Sequence, residues 1–242
     1  DPVYHHPHRA IPNPVTGELI VDPEIELRAK GFDVQISLFY SSAATLPASP
    51  WGLKRSANVG ACLKFDSVGS PVFAVRGDNS VVRFTGSWSG GASATLTADS
   101  GMYSGTVMTW DGTVFTETFP DGKKIVYSKS LSAFSAGIGR VEDASGNKHT
   151  YAYTGGNLLD TITAPGGDKV SFNYDGSSRV QSIVDWSGRR WTMTYDAHSQ
   201  LTGLQTPLGC TTNYGYTGAD DGTITAITDP RGYTTSYTFT GD

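Results

Sequence analysis

A glycine recurs at a fixed spacing through residues 140–239, and an aromatic residue follows each copy seven positions later. The first four glycines are 21 residues apart, and the fifth follows after 23. The glycines are Gly146, Gly167, Gly188, Gly209 and Gly232, and the aromatic residues are Tyr153, Tyr174, Tyr195, Tyr216 and Phe239. Self-similarity at a period of this size is typical of repeat proteins, in which one small structural unit is stacked many times.

Two apolar positions keep the same register as the glycines, even through the two-residue insertion. One is occupied by Val141, Ile162, Ile183, Leu204 and Ile227, and the other by Leu159, Val180, Leu201 and Ile224. The second position precedes the first by three residues, which is out of phase with the two-residue period of a strand. The spacing therefore predicts a β-bulge or a bend in this strand.

The residues that follow each glycine alternate in character. The third, fifth and seventh are mostly apolar or aromatic, whereas those between them are polar. This pattern predicts a strand with one packed face and one solvated face. Twenty-one residues hold two short strands and two turns, so each repeat is most simply one β-hairpin. We therefore predict an all-β fold of stacked antiparallel β-hairpin repeats forming a curled, shell-like or solenoid-like sheet.

The sequence divides into an extended arm at residues 1–14, a β-rich pre-repeat segment at 15–139 and the 21-residue hairpin repeats at 140–242, continuous with the preceding sheet. Period-two alternation predicts pre-repeat strands beginning near Leu19 and at residues 24–27, 34–42, 59–65, 72–75, 81–84 and 113–119. A Gly, Ser and Ala-rich stretch at residues 86–105 predicts a long loop. A turn at 120–122, followed by Ile125 and Tyr127, resembles a degenerate repeat.

Composition excludes several classes of function. The net charge of −5 comprises −1 over residues 1–139, from 11 basic and 12 acidic residues, and −4 over residues 140–242, from 7 basic and 11 acidic residues. Without a basic patch to displace counterions from phosphates, we expect no nucleic-acid binding. No apolar run approaches the about 18 residues of a membrane span, so we expect no membrane insertion. The start at Asp1, without a signal peptide, fits a processed or excised product.

The histidines and cysteines suggest two candidate sites. His5, His6 and His8 could hold a metal ion, but no carboxylate or cysteine nearby completes a site, so a terminal arm with solvated histidines is the favoured interpretation. Cys62 and Cys210 match no zinc or redox spacing. They form either a disulfide or two buried thiols.

Five aspartates are candidate acids: Asp143, Asp185 and Asp229 before the repeat glycines, and Asp175 and Asp196 after the strand tyrosines. A glycosidase needs two carboxylates facing one sugar. These aspartates instead recur at equivalent repeat positions, where Asp favours turns by bonding to its own backbone. No nucleophile elbow, metal-binding helix or phosphate loop accompanies them. We therefore predict that the five aspartates form turns and that the protein is not an enzyme. We also predict no catalytic, cofactor-binding or metal-binding residues.

Some residues break the repeat. Arg189, Arg190, Trp186 and Trp191 occur in the third glycine unit, and His149 replaces an apolar residue in the first. Exposed Trp and Arg could form a platform on which a sugar stacks. The favoured alternative is that Trp191 packs inward with its ladder while Trp186 covers a turn.

The repeat resembles the YD-repeat, or RHS-repeat, pattern. The resemblance rests on Tyr174-Asp175-Gly176, Arg179-Val180, Tyr195-Asp196, and the stretches at residues 183–188 and 227–232, with residues 14–19, 39–42 and 51–52 similar to the segment that precedes such repeats. It implies a spiralling β-hairpin shell in secreted or cell-surface proteins, often enclosing a toxic C-terminal cargo. This sequence shows no cargo domain and no acidic self-cleavage residues, and residues 229–232 read as an ordinary turn.

The sequence thus predicts a non-enzymatic structural module that acts as an extracellular or cell-surface shell, scaffold or assembly subunit, possibly of a filament. The alternatives are an extracellular carbohydrate-binding module and the N-terminal shell of a toxin-encapsulating RHS protein. The chain stops at Asp242, just after the first strand of a repeat. We therefore expect an exposed edge near Phe239 that pairs with copies of the chain or with further repeats.

Overall fold

A computed structural model describes residues 10–12, 19–21, 34–44, 49–78, 80–99, 103, 105–218 and 221–239. His5, His6, His8, the predicted strand at 24–27 and the last three residues lie outside these ranges. The described chain is almost entirely antiparallel β-structure, as the periodicity predicts, and a 3₁₀ turn lies at Asn58–Gly60. No helix within the described ranges has the length and apolarity needed to cross a membrane.

The strands are numbered in chain order. They are β1 (Ala10–Pro12), β2 (Leu19–Val21), β3 (Leu38–Ser41), β4 (Arg55–Ala57), β5 (Cys62–Lys64), β6 (Val72–Val75), β7 (Val81–Thr85), β8 (Ala94–Ala98), β9 (Val107–Trp110), β10 (Phe115–Thr118), β11 (Lys124–Tyr127), β12 (Lys129–Ser132), β13 (Ser135–Gly137), β14 (Arg140–Glu142), β15 (Lys148–Tyr153), β16 (Leu159–Thr163), β17 (Lys169–Tyr174), β18 (Val180–Val184), β19 (Arg190–Tyr195), β20 (Leu201–Gln205), β21 (Thr211–Tyr216), β22 (Ile224–Thr228) and β23 (Thr234–Ser236).

The chain forms two compact units. We call them the central unit, which comprises Leu27–Ile36 and Ala57–Lys169, and the repeat unit, which comprises Asp1–Glu26, Ser37–Ser56 and Val170–Asp242. The 21-residue sequence pattern begins inside the central unit, which contains β14 to β16.

In the central unit, strands β5 to β11 pair successively as antiparallel neighbours. The chain passes from β11 through Ser128 into β12, which pairs with β13, and β13 pairs back to β5. The curled sheet therefore returns to its first strand. Each strand from β5 to β11 contributes a buried apolar side chain to one core, including Leu63, Phe84, Leu96 and Met108.

The repeat unit consists of successive hairpins. Strands β17 and β18, β19 and β20, and β21 and β22 form the three hairpins, and β23 pairs with β22. Antiparallel pairing also joins β18 to β19 and β20 to β21. These pairings confirm the predicted stack of hairpins and its register.

Each hairpin of the repeat unit contains the predicted bulge. In the second hairpin, Tyr195 pairs with Leu201 while Thr194 pairs with Gly203, so Thr202 has no opposite residue. Leu201 and Leu204 are both buried because this extra residue lies between them. The three-residue spacing of the apolar ladder is thus the signature of one bulge in every second strand.

Three pre-repeat expectations are corrected by the structure. The Gly-rich stretch at 86–105 is not one long loop, because it contains β8, which pairs with β7 and β9 around the buried Leu96. The strand predicted at 34–42 begins only at Leu38, although Val34 and Ile36 are buried. The strand predicted at 59–65 shortens to β5 because a 3₁₀ turn at Asn58–Gly60 precedes it.

Candidate functional site

The repeat glycines occupy turns that require a left-handed backbone. Gly188, for example, has a φ of +80°, and its N–H donates to the carbonyl of Asp185 at 3.0 Å. Asp185 also pairs through its own N–H with the carbonyl of Arg189, at 3.0 Å. This is a tight hairpin turn whose fourth residue has positive φ, which a glycine adopts without steric cost.

The aspartates stabilise the same turns. The Oδ1 atom of Asp185 accepts from the N–H groups of Ser187 and Arg189, both at 3.0 Å. The other four candidate acids accept in the same way from the residues two and four positions ahead, as seen at Asp143, Asp175, Asp196 and Asp229. The five carboxylates are therefore bound to the backbone of their own separate turns.

These hydrogen bonds affect the acidity of several aspartates. Hydrogen bonds from the Asn147 side chain and from backbone N–H groups lower the pKa of Asp143. Burial alone would raise the pKa of Asp175, but the hydrogen bonds and charge of Arg179 outweigh it and lower that pKa. A carboxylate held in the ionised form accepts hydrogen bonds well but is a poor general acid.

The recurring tyrosine joins one hairpin to the strand before it. The hydroxyl of Tyr195 donates to the carbonyl of Val180 at 3.0 Å, and that of Tyr216 donates to the carbonyl of Leu201 at 2.6 Å. Tyr153 makes the equivalent bond to Ile138, also 15 residues earlier, at 2.8 Å. Sequence reasoning found the aromatic position but missed this bond, whose signal is the preference for Tyr over Phe.

The residues that break the repeat do not form one exposed platform. Trp191 is buried in its ladder, as the favoured interpretation predicts, and His149 is buried in the central unit. Arg189 bridges to Asp185 at 2.6 Å and lies 5.8 Å from the Trp191 ring centre. Arg190 donates to Ser182 at 2.6 Å. Trp186 remains half-buried on its turn.

The central unit contains a buried ion pair that sequence reasoning missed. Glu117, which is fully buried, accepts hydrogen bonds from both terminal nitrogens of Arg76 and from the hydroxyl of Tyr127, the last at 3.0 Å. Burial and the neighbouring Glu117 carboxylate raise the pKa of Tyr127. Arg76 also stacks against the rings of Phe119 and Tyr103, at 5.2 and 5.6 Å. The sequence feature that could have revealed this pair is Glu117 itself, a glutamate at an inward-facing position of an alternating strand.

An aromatic cluster lies where several strands of the central unit begin or end. Trp88 contacts the rings of Phe65, Trp110 and Phe115 at centroid distances of 4.9 to 5.4 Å. Phe134, which is half exposed, contacts Phe65 at 6.2 Å. A shallow depression of about 160 Å³ lies beside Trp88 and is otherwise lined by small residues.

Cys62 and Cys210 are free thiols, so the predicted alternative of a disulfide is not formed. Both are only partly buried. Burial raises the pKa of the Cys62 thiol, which makes it a weaker nucleophile at neutral pH. The described residues contain no group of three or more His, Cys, Asp or Glu side chains that could hold a metal ion.

Comparison with known proteins identifies the repeat. The RHS Repeat family matches residues 174–212, which run from the end of β17 through β18, β19 and β20 to the start of β21. No curated protein matches the chain. Among solved structures, the N-terminal domain of the effector protein SpvB from Salmonella typhimurium strain LT2 is similar at 11% identity and a TM-score of 0.48, covering 89% of this chain and 99% of that one. Residues 174–212, which include the bulged hairpin of β19 and β20 and the hydrogen bond from Tyr195 to Val180, therefore match the RHS repeat.

Proposed function

We propose that this protein is a non-enzymatic structural module, an RHS-repeat wall that acts as an extracellular or cell-surface shell or scaffold. The observation that carries the proposal is the use of the repeated polar residues. The turn aspartates bind their own turns, and the strand tyrosines bind the preceding strand. The side chains that could have formed a recurring chemical site are thus committed to holding hairpins together.

An activity survey tests this proposal. The purified chain is assayed against chromogenic glycosides, esters and phosphates, together with the variants Asp185→Asn and Asp196→Asn. We expect turnover equal to the protein-free blank for all three proteins. A hydrolytic activity that one Asp substitution abolishes would overturn the structural role.

We further propose that the wall assembles with copies of itself or with further repeats. The inward position of each glycine strand is buried at Val170, Trp191 and Thr212, but the equivalent Thr235 on β23 is exposed. Tyr233, two residues before it, is 73% exposed. The face that is packed in the three preceding glycine strands of the repeat unit is therefore exposed to solvent at β23. Exposed aromatic surface favours association.

Light scattering coupled to size exclusion tests assembly over a range of protein concentrations. We expect the mass to rise with concentration and Thr235→Asp to reduce that rise. A constant monomer mass contradicts this part of the proposal. Protease shaving of intact source cells tests the location, because an external wall is cleaved without lysis.

A carbohydrate-binding role is the second candidate. Trp186 is half-buried and Tyr233 is exposed, and both lie on glycine turns of the repeat unit. Such rings offer flat apolar faces to sugars. A glycan array probed with the native chain and with Trp186→Ala separates the two roles. Glycan binding that the substitution abolishes supports the carbohydrate-binding role, and an array without binding rules that role out.

A further inference from the structure

Residues 49–55 of the repeat unit, which we call the strap, cross successive hairpins. The carbonyl of Pro50 accepts from the N–H of Val180 in β18 at 2.7 Å. The N–H of Leu53 donates to the carbonyl of Ser199, in the turn between β19 and β20, at 2.9 Å. Two neighbouring hairpins are therefore joined through the backbone of a segment more than a hundred residues away in sequence.

The strap also contacts the apolar face of the repeats. Trp51 is buried and meets the ring of Phe172 in β17 edge-on, at a centroid distance of 6.1 Å. Gly52 has a φ of +106°. A Cβ atom there would lie 3.0 Å from the Ser199 carbonyl oxygen and 3.2 Å from a ring carbon of Tyr195. The Trp-Gly pair therefore combines an aromatic anchor with the close backbone approach that only glycine permits.

Arg55 ends the strap at the third hairpin. Its side chain is fully buried, and its guanidinium carbon lies 4.5 Å from the ring centre of Tyr214 in β21 and 5.3 Å from that of Tyr40 in β3. A buried guanidinium between two aromatic faces gains cation–π attraction in a site from which water is excluded. Arg55 thus connects the strap to the third hairpin through its charge.

Tyr40 completes the attachment. Its hydroxyl donates to the carbonyl of Gly222 at 3.0 Å and accepts from the N–H of Ile224 at 2.9 Å. Burial raises the pKa of Tyr40 to about 12, so the phenol keeps the proton that it donates. The attachment joins β3, which precedes the strap, to the start of β22.

We propose that the strap is an intramolecular clamp that covers the apolar face of three consecutive RHS hairpins and opens as one local unit. Trp51 anchors it to the first hairpin, Pro50 and Leu53 pair with the first and second, and Arg55 with Tyr40 secures it to the third. The face is occupied by the chain itself, so any ligand of that face competes with the strap. The clamp is independent of the proposed scaffold role.

Hydrogen exchange measured residue by residue on the full chain tests the clamp. Tyr40→Phe removes two buried hydrogen bonds and little volume, so we expect exchange at Leu53, Val180 and Ile224 to accelerate about tenfold. Arg55→Met, which removes the cation and keeps the length, is expected to accelerate the same three amides. The N–H groups of Asp185 and Thr206, bonded at the opposite ends of the hairpins, serve as internal references.

Matched controls are Tyr233→Phe, at an exposed tyrosine, and Arg83→Met, at an exposed arginine paired with Asp99. Neither control is expected to accelerate the three strap-linked amides. Acceleration of those amides with unchanged references supports the clamp. Equal acceleration of all five amides, or of none, overturns it. If Arg55→Met does not fold, the Tyr40→Phe result decides the test alone.

Discussion

The central unit and the repeat unit are both curled antiparallel sheets, but they achieve stability differently. The central unit depends on contacts that occur once, such as the Glu117 ion pair and the Trp88 aromatic cluster. In the repeat unit the same turn and the same tyrosine bond recur from hairpin to hairpin. In a repeat array, stability is roughly a sum of similar local terms, whereas a single closed core concentrates it. The loss of stability caused by a single substitution should therefore vary more from site to site in the central unit than in the repeat unit.

The largest effect is expected at Glu117. Glu117→Ala leaves Arg76 with an uncompensated charge whose side chain is only 12% exposed, and we expect a loss of about 3–5 kcal/mol in unfolding free energy. Urea unfolding of the full chain measures it. The exposed pair of Arg83 and Asp99 provides the control, since Asp99→Ala should cost less than about 1 kcal/mol. Equal losses in the two variants would show that the buried pair has no special role.

The repeat glycines should give a smaller and more uniform effect. Gly188→Ala places a Cβ in a left-handed turn with no neighbouring atoms within 4 Å, so only backbone strain acts. We expect a loss of about 1–2 kcal/mol, and the same at Gly209. Gly176 is the control, because it has open surroundings without the left-handed φ, and its replacement by Ala should cost nothing. Thermal or urea melts of the three variants make the comparison.

The tyrosine bonds should contribute less again. Tyr195→Phe and Tyr216→Phe each remove one hydroxyl donor to a carbonyl, so we expect a loss of about 1 kcal/mol from each. Because the sites are equivalent, the two losses should agree closely and should nearly add in the double variant. Unequal losses would mean that the hairpins of the repeat unit are not energetically equivalent. Tyr233→Phe, at an exposed hydroxyl, is the matched control.

Acid provides the mildest test. The pKa values of Asp143 in the central unit and of Asp175 and Asp185 in the repeat unit are lowered in the folded state. The lowered pKa stabilises the fold above the unfolded value of about 4, and the gain is lost as pH falls through the folded pKa. We therefore expect the urea midpoint to fall in acid, below about pH 4. Asp185→Asn should flatten that fall slightly, and an unchanged profile would contradict the assignment.

Sequence periodicity predicted the repeat region closely because the residues that determine each hairpin lie within or next to that hairpin. Gly188, Asp185 and Tyr195 act on neighbours within one or two strands, so their pattern is legible in a short window. The strand β8 was missed because the Gly, Ser and Ala residues around it indicated a loop, whereas Leu96 is buried and β8 pairs with a strand on each side. The alternation at residues 34–38 correctly marked Val34 and Ile36 as buried, but these residues lie outside any strand.

The candidate site divides along the same line. The aspartates were correctly interpreted as turn formers from their recurrence alone. Arg55 and Glu117 were not recognised, because a charged residue in a strand is ordinarily solvated and nothing adjacent in sequence reveals its partner. Arg55 meets Tyr214, and Glu117 meets Arg76, across separations of 159 and 41 residues.

The local sequence was thus sufficient to predict the all-β class, the 21-residue hairpin, its bulge and its turns. A left-handed turn accepts glycine at little cost, and a bulge displaces an apolar ladder by one residue, so both leave a mark in the sequence. Three features were decided only in the tertiary structure: the return of β13 to β5, the buried ion pair and the strap across the hairpins. Each depends on which distant surfaces are complementary once folded, and that complementarity has no periodic signature.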